Sequence, residues 1–228
     1  MPSINQDTSL KQLQSFIEEV YSLNNDRHYD IADMLGNIQR FAMRGLKGIR
    51  KGNIEKAKKN LIISSTWFIS TLNRLHIDLE EEVWRRFPNL CSYCGARPCS
   101  CKAQKLEARQ DVPVVDSQRP VTMADFQLMF SGIYPPASRS LEHAGVHLAE
   151  EIGEFSEALL AYRGERAERD FREVVIEAAD YFSCLMGVFN SMKLDFSLEL
   201  SKMFLKNCHE CLSAPCACSY INVKKYES

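Results

Sequence analysis

The sequence predicts an all-α chain made of two tandem helical-bundle repeats, each ending in a four-cysteine cluster. Three observations carry that prediction. Eight of the nine cysteines fall into two groups of one pattern, C-x2-C-x4-C-x-C: Cys91, Cys94, Cys99 and Cys101, then Cys208, Cys211, Cys216 and Cys218, at a constant offset of 117. The same offset runs upstream without a gap, pairing Ile77-Asp78-Leu79 with Leu194-Asp195-Phe196 and Ala32 to Gly36 with Ala149 to Gly153. A four-residue slip then aligns Gln14, Val20 and Tyr21 with Gln127, Ile133 and Tyr134, so the chain reads as a duplication of a unit of about 100 residues. Finally, apolar residues recur at three- and four-residue steps in both copies, while strand signals are confined to Val114-Val115.

In order along the chain, repeat one occupies 1–102 and predicts helices over Ile31–Arg44, Ile54–Leu75 and Leu79–Phe87. Residues 103–121 carry Pro113, Pro120 and scattered charges without periodicity, the composition of a linker. Repeat two occupies 122–228. Its first clear helix carries the stripe Leu148, Ile152, Phe155, Leu159 and Tyr162 and stops near Gly164. A second runs from about Arg166 to Met192, with Val174, Ala178, Phe182, Leu185 and Phe189 inward, and a third begins near Phe196.

Composition narrows the function classes. With 228 residues, 45% hydrophobic and 25% charged, the chain can bury a real core and is neither collagen-like nor disordered. A net charge of −2 makes no global case for nucleic acid or an anionic membrane as partner. The start shows no basic-then-apolar leader, and the apolar run Leu61–Leu72 is interrupted by five Ser and Thr residues, so a cytoplasmic protein without a membrane partner is expected.

The strongest chemistry lies in repeat two: Glu151-x-x-Glu154 on one helix and Glu177-x-x-Asp180 on the next. Residues three apart share a helix face, so two packed helices bring four carboxylates together. So many anions require cations, and hard oxygen donors suit Mg²⁺ or Mn²⁺, which in turn bind phosphate oxygens. Glu150 could orient or deprotonate a metal-bound water. The simpler reading is a solvated acidic face, against which stand the second pair and the apolar setting of Ala178, Ala179, Tyr181 and Phe182.

These residues resemble a family. AEEIGEFSEAL followed by EAADYF is similar to the EExxE…ExxD signature of the all-α NTP pyrophosphatase superfamily, the MazG-like and dimeric dUTPase-like enzymes, over about Ser138 to Asn207. The resemblance implies a helical core, Mg²⁺ held by Glu151, Glu154, Glu177 and Asp180, and hydrolysis of a nucleoside triphosphate to monophosphate and pyrophosphate. It also implies dimers or larger assemblies, which a duplicated chain would replace by an intramolecular pseudo-dimer, itself open to homo-oligomerisation. A base pocket would come from Phe126, Gln127, Phe130 and Tyr134, although aromatics at helical spacing are more often core. The chain departs from the family pattern at Cys208.

Repeat one has lost the ligands. At the offset of 117, Glu151, Glu154, Glu177 and Asp180 fall on Met34, Asn37, Asn60 and Ile63. From Asn37 to Asn60 it holds eight basic residues against one acid, whereas Glu142 to Asp180 holds eleven acids against four arginines. Arg40, Arg44 and Lys47 are therefore candidates to bind phosphate or steer an anionic ligand, with a solvated basic face as the simpler alternative; nucleic-acid binding lacks interleaved aromatics.

Each cysteine group reads as a four-thiolate Zn²⁺ site. Disulfides, free thiols, an Fe–S cluster, ligands exchanged between the groups and His209 as a substitute ligand remain open, and Cys184 reads as a small core residue. Two function classes follow: a Mg²⁺-dependent nucleotide pyrophosphohydrolase with a degenerate first repeat, or a non-catalytic zinc-stabilised scaffold or nucleotide-sensing module.

Overall fold

The computed structural model describes residues 4–104 and 106–226. Residues 1–3, 105 and 227–228, at the ends of the expected repeats and within the expected linker, lie outside that description. The described residues form nine α-helices and two 3₁₀ turns, with no strand. The helices are α1 (Leu10–His28), α2 (Ile31–Arg50), α3 (Ile54–Arg74), α4 (Leu79–Arg86), α5 (Met123–Ile133), α6 (Leu141–Glu165), α7 (Glu168–Met192), α8 (Phe196–Met203) and α9 (Tyr220–Lys225).

Local chemistry sets the boundaries. Ser9 with Gln12, Asp30 with Asp33 and Thr122 with Asp125 form capping boxes that satisfy the first free amides of α1, α2 and α5. Helix α6 runs one residue past the expected stop and ends on Arg166 in the left-handed conformation (φ 52°), so Gly164 is its penultimate residue rather than its cap. The interrupted apolar run of α3 is buried on all sides. Its hydroxyls turn back onto carbonyls, Ser65 on Ile62 (2.7 Å) and Thr71 on Trp67 (2.9 Å), while Ser64 reaches Ile38 of α2 (2.8 Å). Where α2 crosses α3, Gly48 lets the backbones approach: a Cβ there would lie 2.7 Å from the Ala57 amide nitrogen.

The chain separates into two compact units, Met1–Asp78 with Ser197–Ser228, and Leu79–Phe196. The first thus contains α1, α2 and α3 of repeat one together with α8, the second cysteine loop and α9. The second contains α5, α6 and α7 of repeat two together with α4, the first cysteine loop and the 103–121 segment. Each unit is completed by the end of the other repeat.

The docking is alike in the two units. The Cys216 amide donates to Val20 O of α1 (2.7 Å), and the Cys99 amide to Ile133 O of α5 (2.8 Å). Gln14 Nε2 donates to Asn73 Oδ1 and Ile77 O (both 2.9 Å), and Gln127 Nε2 to Asn190 Oδ1 (2.9 Å) and Leu194 O (2.8 Å). Phe204 packs edge-on against Phe16 (5.9 Å between centroids), and Phe87 against Phe130 (5.2 Å).

The sequence repeats end near 102 and begin again at 122, yet compactness divides the chain at 78/79 and 196/197. A sequence offset pairs residues in one dimension and does not say which stretch buries which apolar face. Val114 and Val115 form no strand. The segment is tied to α4 instead, through Trp84 Nε1 on Asp116 (3.1 Å) and Arg119 on Glu81 (2.6 Å).

Candidate metal centre

In the second unit, α6 and α7 lie side by side and bring Glu151, Glu177 and Asp180 together, with one carboxylate oxygen of each within 4.8 Å of the others. The set is partly sheltered because the neighbouring positions, Ile152, Phe155, Ala178, Ala179 and Tyr181, are core. Glu151 Oε2 and Glu177 Oε2 are buried with no hydrogen-bond partner among the described residues. Burial, reinforced by the charges of Asp180 and Glu154, pushes the Glu151 carboxyl up to about 8 and Glu177 to about 7. Two acids with unpartnered buried oxygens next to a third are a donor set suited to a divalent cation.

Glu154, the fourth expected ligand, is exposed on α6 and lies outside the close group, though near enough to raise both glutamates. Glu150 is exposed as well and accepts from His147 Nδ1 at 3.1 Å.

The cation at this site is one the sequence reading missed. Arg86, at the end of α4, grips Asp180 with both arms, Nε on Oδ1 (3.0 Å) and Nη2 on Oδ2 (2.6 Å), with both side chains about 85% buried. Linear pattern could not reveal it, because Arg86 stands 94 residues away. Its only signal was a pair of arginines closing an acidic helix. Repeat one does supply a cation to the carboxylates, but from α4 and not from its basic stretch.

That stretch has other partners inside the first unit. Arg40 donates to Val223 O (2.9 Å) and Arg44 to Tyr226 O (2.8 Å), which holds α9 against α2. Lys58 pairs with Glu55 (2.7 Å) and the buried Glu199 (2.8 Å), and Lys47 is exposed. The residues expected to shape a base pocket are mostly packed core. Phe126 and Phe130 are fully buried, and Gln127 spends its amide on Asn190, Leu194 and the Phe196 amide. Tyr134 donates its hydroxyl to Cys91 Sγ (3.5 Å), so these side chains hold the cysteine loop and α7 in place.

Both cysteine groups converge as expected, with all nine thiols free of disulfides. Within the first, Cys91 and Cys101 sulfurs lie 3.8 Å apart and Cys94 and Cys99 3.9 Å apart. Within the second, the separations are 3.8 Å (Cys208–Cys218), 3.9 Å (Cys211–Cys216) and 3.5 Å (Cys208–Cys216). A tetrahedron with Zn–S bonds of about 2.3 Å has edges of about 3.8 Å, so either group could hold a zinc ion, whereas a disulfide would need about 2.05 Å.

Backbone amides favour thiolate in both loops: Ser100 N–H donates to Cys94 Sγ (3.4 Å) and Ala217 N–H to Cys211 Sγ (3.3 Å). Burial opposes ionisation of Cys94, but hydrogen bonds from the Ser100 and Ala96 amides outweigh it and bring the thiol down to about 6. His209 is a neighbour and not one of the four converging groups; its ring meets the Tyr21 hydroxyl (3.2 Å). Burial pushes the Cys184 thiol up to about 12, which leaves it inert.

The fold and its sites define a class: an all-helical protein with two four-cysteine clusters and a sheltered carboxylate group. No protein-family model, no curated protein and no solved structure matches the chain. Among the described residues no helix is long and apolar enough to cross a membrane.

Proposed function

We infer that the chain is a nucleoside triphosphate pyrophosphohydrolase that releases pyrophosphate and a nucleoside monophosphate, its two repeats standing in for the two subunits of a dimer. The single observation that carries the reading is the approach of Glu151, Glu177 and Asp180 with two buried, unpartnered carboxylate oxygens. Those three residues would hold Mg²⁺ or Mn²⁺, with Glu154 contributing from the exposed edge of α6. A divalent cation there would neutralise phosphate oxygens and activate water.

The chain's own residues do the rest. Glu151 and Glu177 give up their protons as they become ligands. Arg86 fixes the orientation of Asp180 and balances its charge. Glu150, beside His147 at the exposed face of the ligand helix, would take up a proton from the attacking water. Zinc in the cysteine loops is structural.

Pyrophosphate release from a panel of NTPs and dNTPs with Mg²⁺ tests the reading. Turnover should fall at least a hundredfold in Glu177→Gln and Asp180→Asn. No turnover of any nucleotide, with wild type equal to both variants, rejects it. One observation favours the non-catalytic alternative: Arg86 already satisfies Asp180. A module that senses nucleotide without hydrolysis would bind the same panel and release nothing.

A further inference from the structure

The unit formed by Met1–Asp78 and Ser197–Ser228 contains a cavity of about 240 Å³. Ile63 lines it, and Ile63 is the residue that stands at the position of Asp180 in the other repeat. Where repeat two gathers carboxylates, the unit built on repeat one has a void without them, bordered instead by the second cysteine group. Its wall combines aromatic rings with amides: Tyr29 and Trp67, edge to face at 4.9 Å, then Phe41, Tyr226, Asn24 and Asn25. The four thiols of the second cysteine group, Cys208, Cys211, Cys216 and Cys218, line it as well. Tyr29 is 7% exposed and its hydroxyl has no hydrogen-bond partner among the described residues; Asn25 is 5% exposed. Asn24 already donates to Cys216 Sγ (3.7 Å) and the Cys218 carbonyl (3.1 Å), so the buried wall groups that are costly unless something polar meets them are the Tyr29 and Tyr226 hydroxyls.

The walls also select the chemistry of the occupant. No lysine or arginine lines the cavity, and its one carboxylate is Glu210, so a phosphate would find no counter-charge inside. The volume falls below the roughly 300–1,000 Å³ of sites for drug-sized molecules, so only a small ligand fits. Aromatic faces for stacking beside amides that can both donate and accept are the combination by which proteins hold a nucleobase. We propose that this cavity binds the uncharged, planar heterocycle of a purine or pyrimidine, either free or as the base of a nucleoside or nucleotide whose phosphate stays outside. The site is separate from the carboxylates and stands whether or not they hydrolyse anything.

The test uses the zinc-loaded full chain carrying Glu177→Gln, which silences the carboxylate group without touching the cavity. Free bases, nucleosides and nucleoside monophosphates are each titrated, with calorimetry for stoichiometry and the Trp67 indole NMR resonance as the local probe. One saturable site per chain is expected, with a shift of that resonance. Affinity should fall at least tenfold in Ser70→Leu, which fills the cavity, and at least threefold in Tyr29→Phe, which removes only the unpartnered hydroxyl and so preserves the fold. Equal binding of base and nucleotide assigns recognition to the heterocycle alone; tighter nucleotide binding with the same Trp67 shift adds an outer phosphate contact. No saturable binding of any probe up to about 1 mM overturns the proposal. So does binding that leaves Trp67 unshifted, or that Tyr29→Phe leaves unchanged.

Discussion

At the scale of single residues, the carboxylate group and Arg86 make opposite contributions to stability. In the unfolded chain Glu151 and Glu177 lose their protons near the ordinary glutamate value of about 4.3, but in the folded protein burial holds them at about 8 and about 7. Between those limits the folded state binds more protons than the unfolded one, so stability falls as pH rises. Metal-free protein should accordingly melt at lower temperature at pH 8.5 than at pH 5.5. Glu151→Gln should flatten that slope, and Mg²⁺ should raise the melting temperature most at the alkaline end. A slope unchanged in Glu151→Gln would contradict the assignment.

Arg86 acts the other way. Removing it leaves Asp180 unpaired beside two other acids, and losing one partner of a buried pair costs about 3 kcal/mol. Urea denaturation of Arg86→Met should show a loss of that order, largely recovered when Asp180→Asn is added. The triad was legible because a carboxylate at every third residue inside an apolar helix is visible in one dimension. Arg86 was not, since its contact depends on α4 packing against α7. The expected base pocket failed for a related reason: Phe126, Gln127 and Phe130 carry the periodicity of a packed face, and a packed face leaves no room for a ligand.

At the scale of elements, the helices were legible nearly to the residue where caps and stripes agree, as in α3 and α7. Periodicity placed α2 correctly at its start but six residues short at its end. Its last turns are held by a close approach to α3 that no stripe encodes, through Gly45 and Gly48. Glycines of one helix should therefore respond with opposite signs. Gly48→Ala drives a methyl into the Ala57 backbone and should cost about 1–3 kcal/mol. Gly36→Ala, with nothing within 4 Å of the new Cβ, should gain up to about 1 kcal/mol from helix propensity. Thermal melts of the two variants decide this directly.

The cysteine loops behave as elements of the same kind, the second docking on α1 and the first on α5. Elemental analysis should find two zinc ions per chain, falling to one in Cys94→Ser, and chelation should lower the melting temperature of both units. Disulfide-bonded or metal-free protein of equal stability would refute the zinc assignment.

At the scale of the molecule, the constant offset of the glutamines and cysteines is visible in one dimension, whereas the compact units, Met1–Asp78 with Ser197–Ser228 and Leu79–Phe196, are not. The compact units predict how the chain can be cut. A fragment of residues 79–196 should fold, with cooperative helical melting and one zinc ion. Residues 122–228, which follow the sequence repeat, lack α4 and the first cysteine loop and should not melt cooperatively. Circular dichroism of the two peptides discriminates; a cooperative transition in the second alone would overturn the partition.

The bond from Asn24 to the carbonyl of Cys218 spans 194 residues of chain, and that span has a consequence during synthesis. Helices α1, α2 and α3 are made before the segment from Ser197 onward, which supplies Phe204 against Phe16 and Tyr226 against Phe41. At about 5–20 residues per second, the intervening 118 residues of Leu79–Phe196 take on the order of ten seconds. Through that interval Phe16 and Phe41 lack those two partners. Meanwhile the later-made insert, continuous in sequence, can complete itself. A core left incomplete exposes apolar side chains to aggregation, so pulse-chase proteolysis of nascent chains should find Leu79–Phe196 protected before Met1–Asp78.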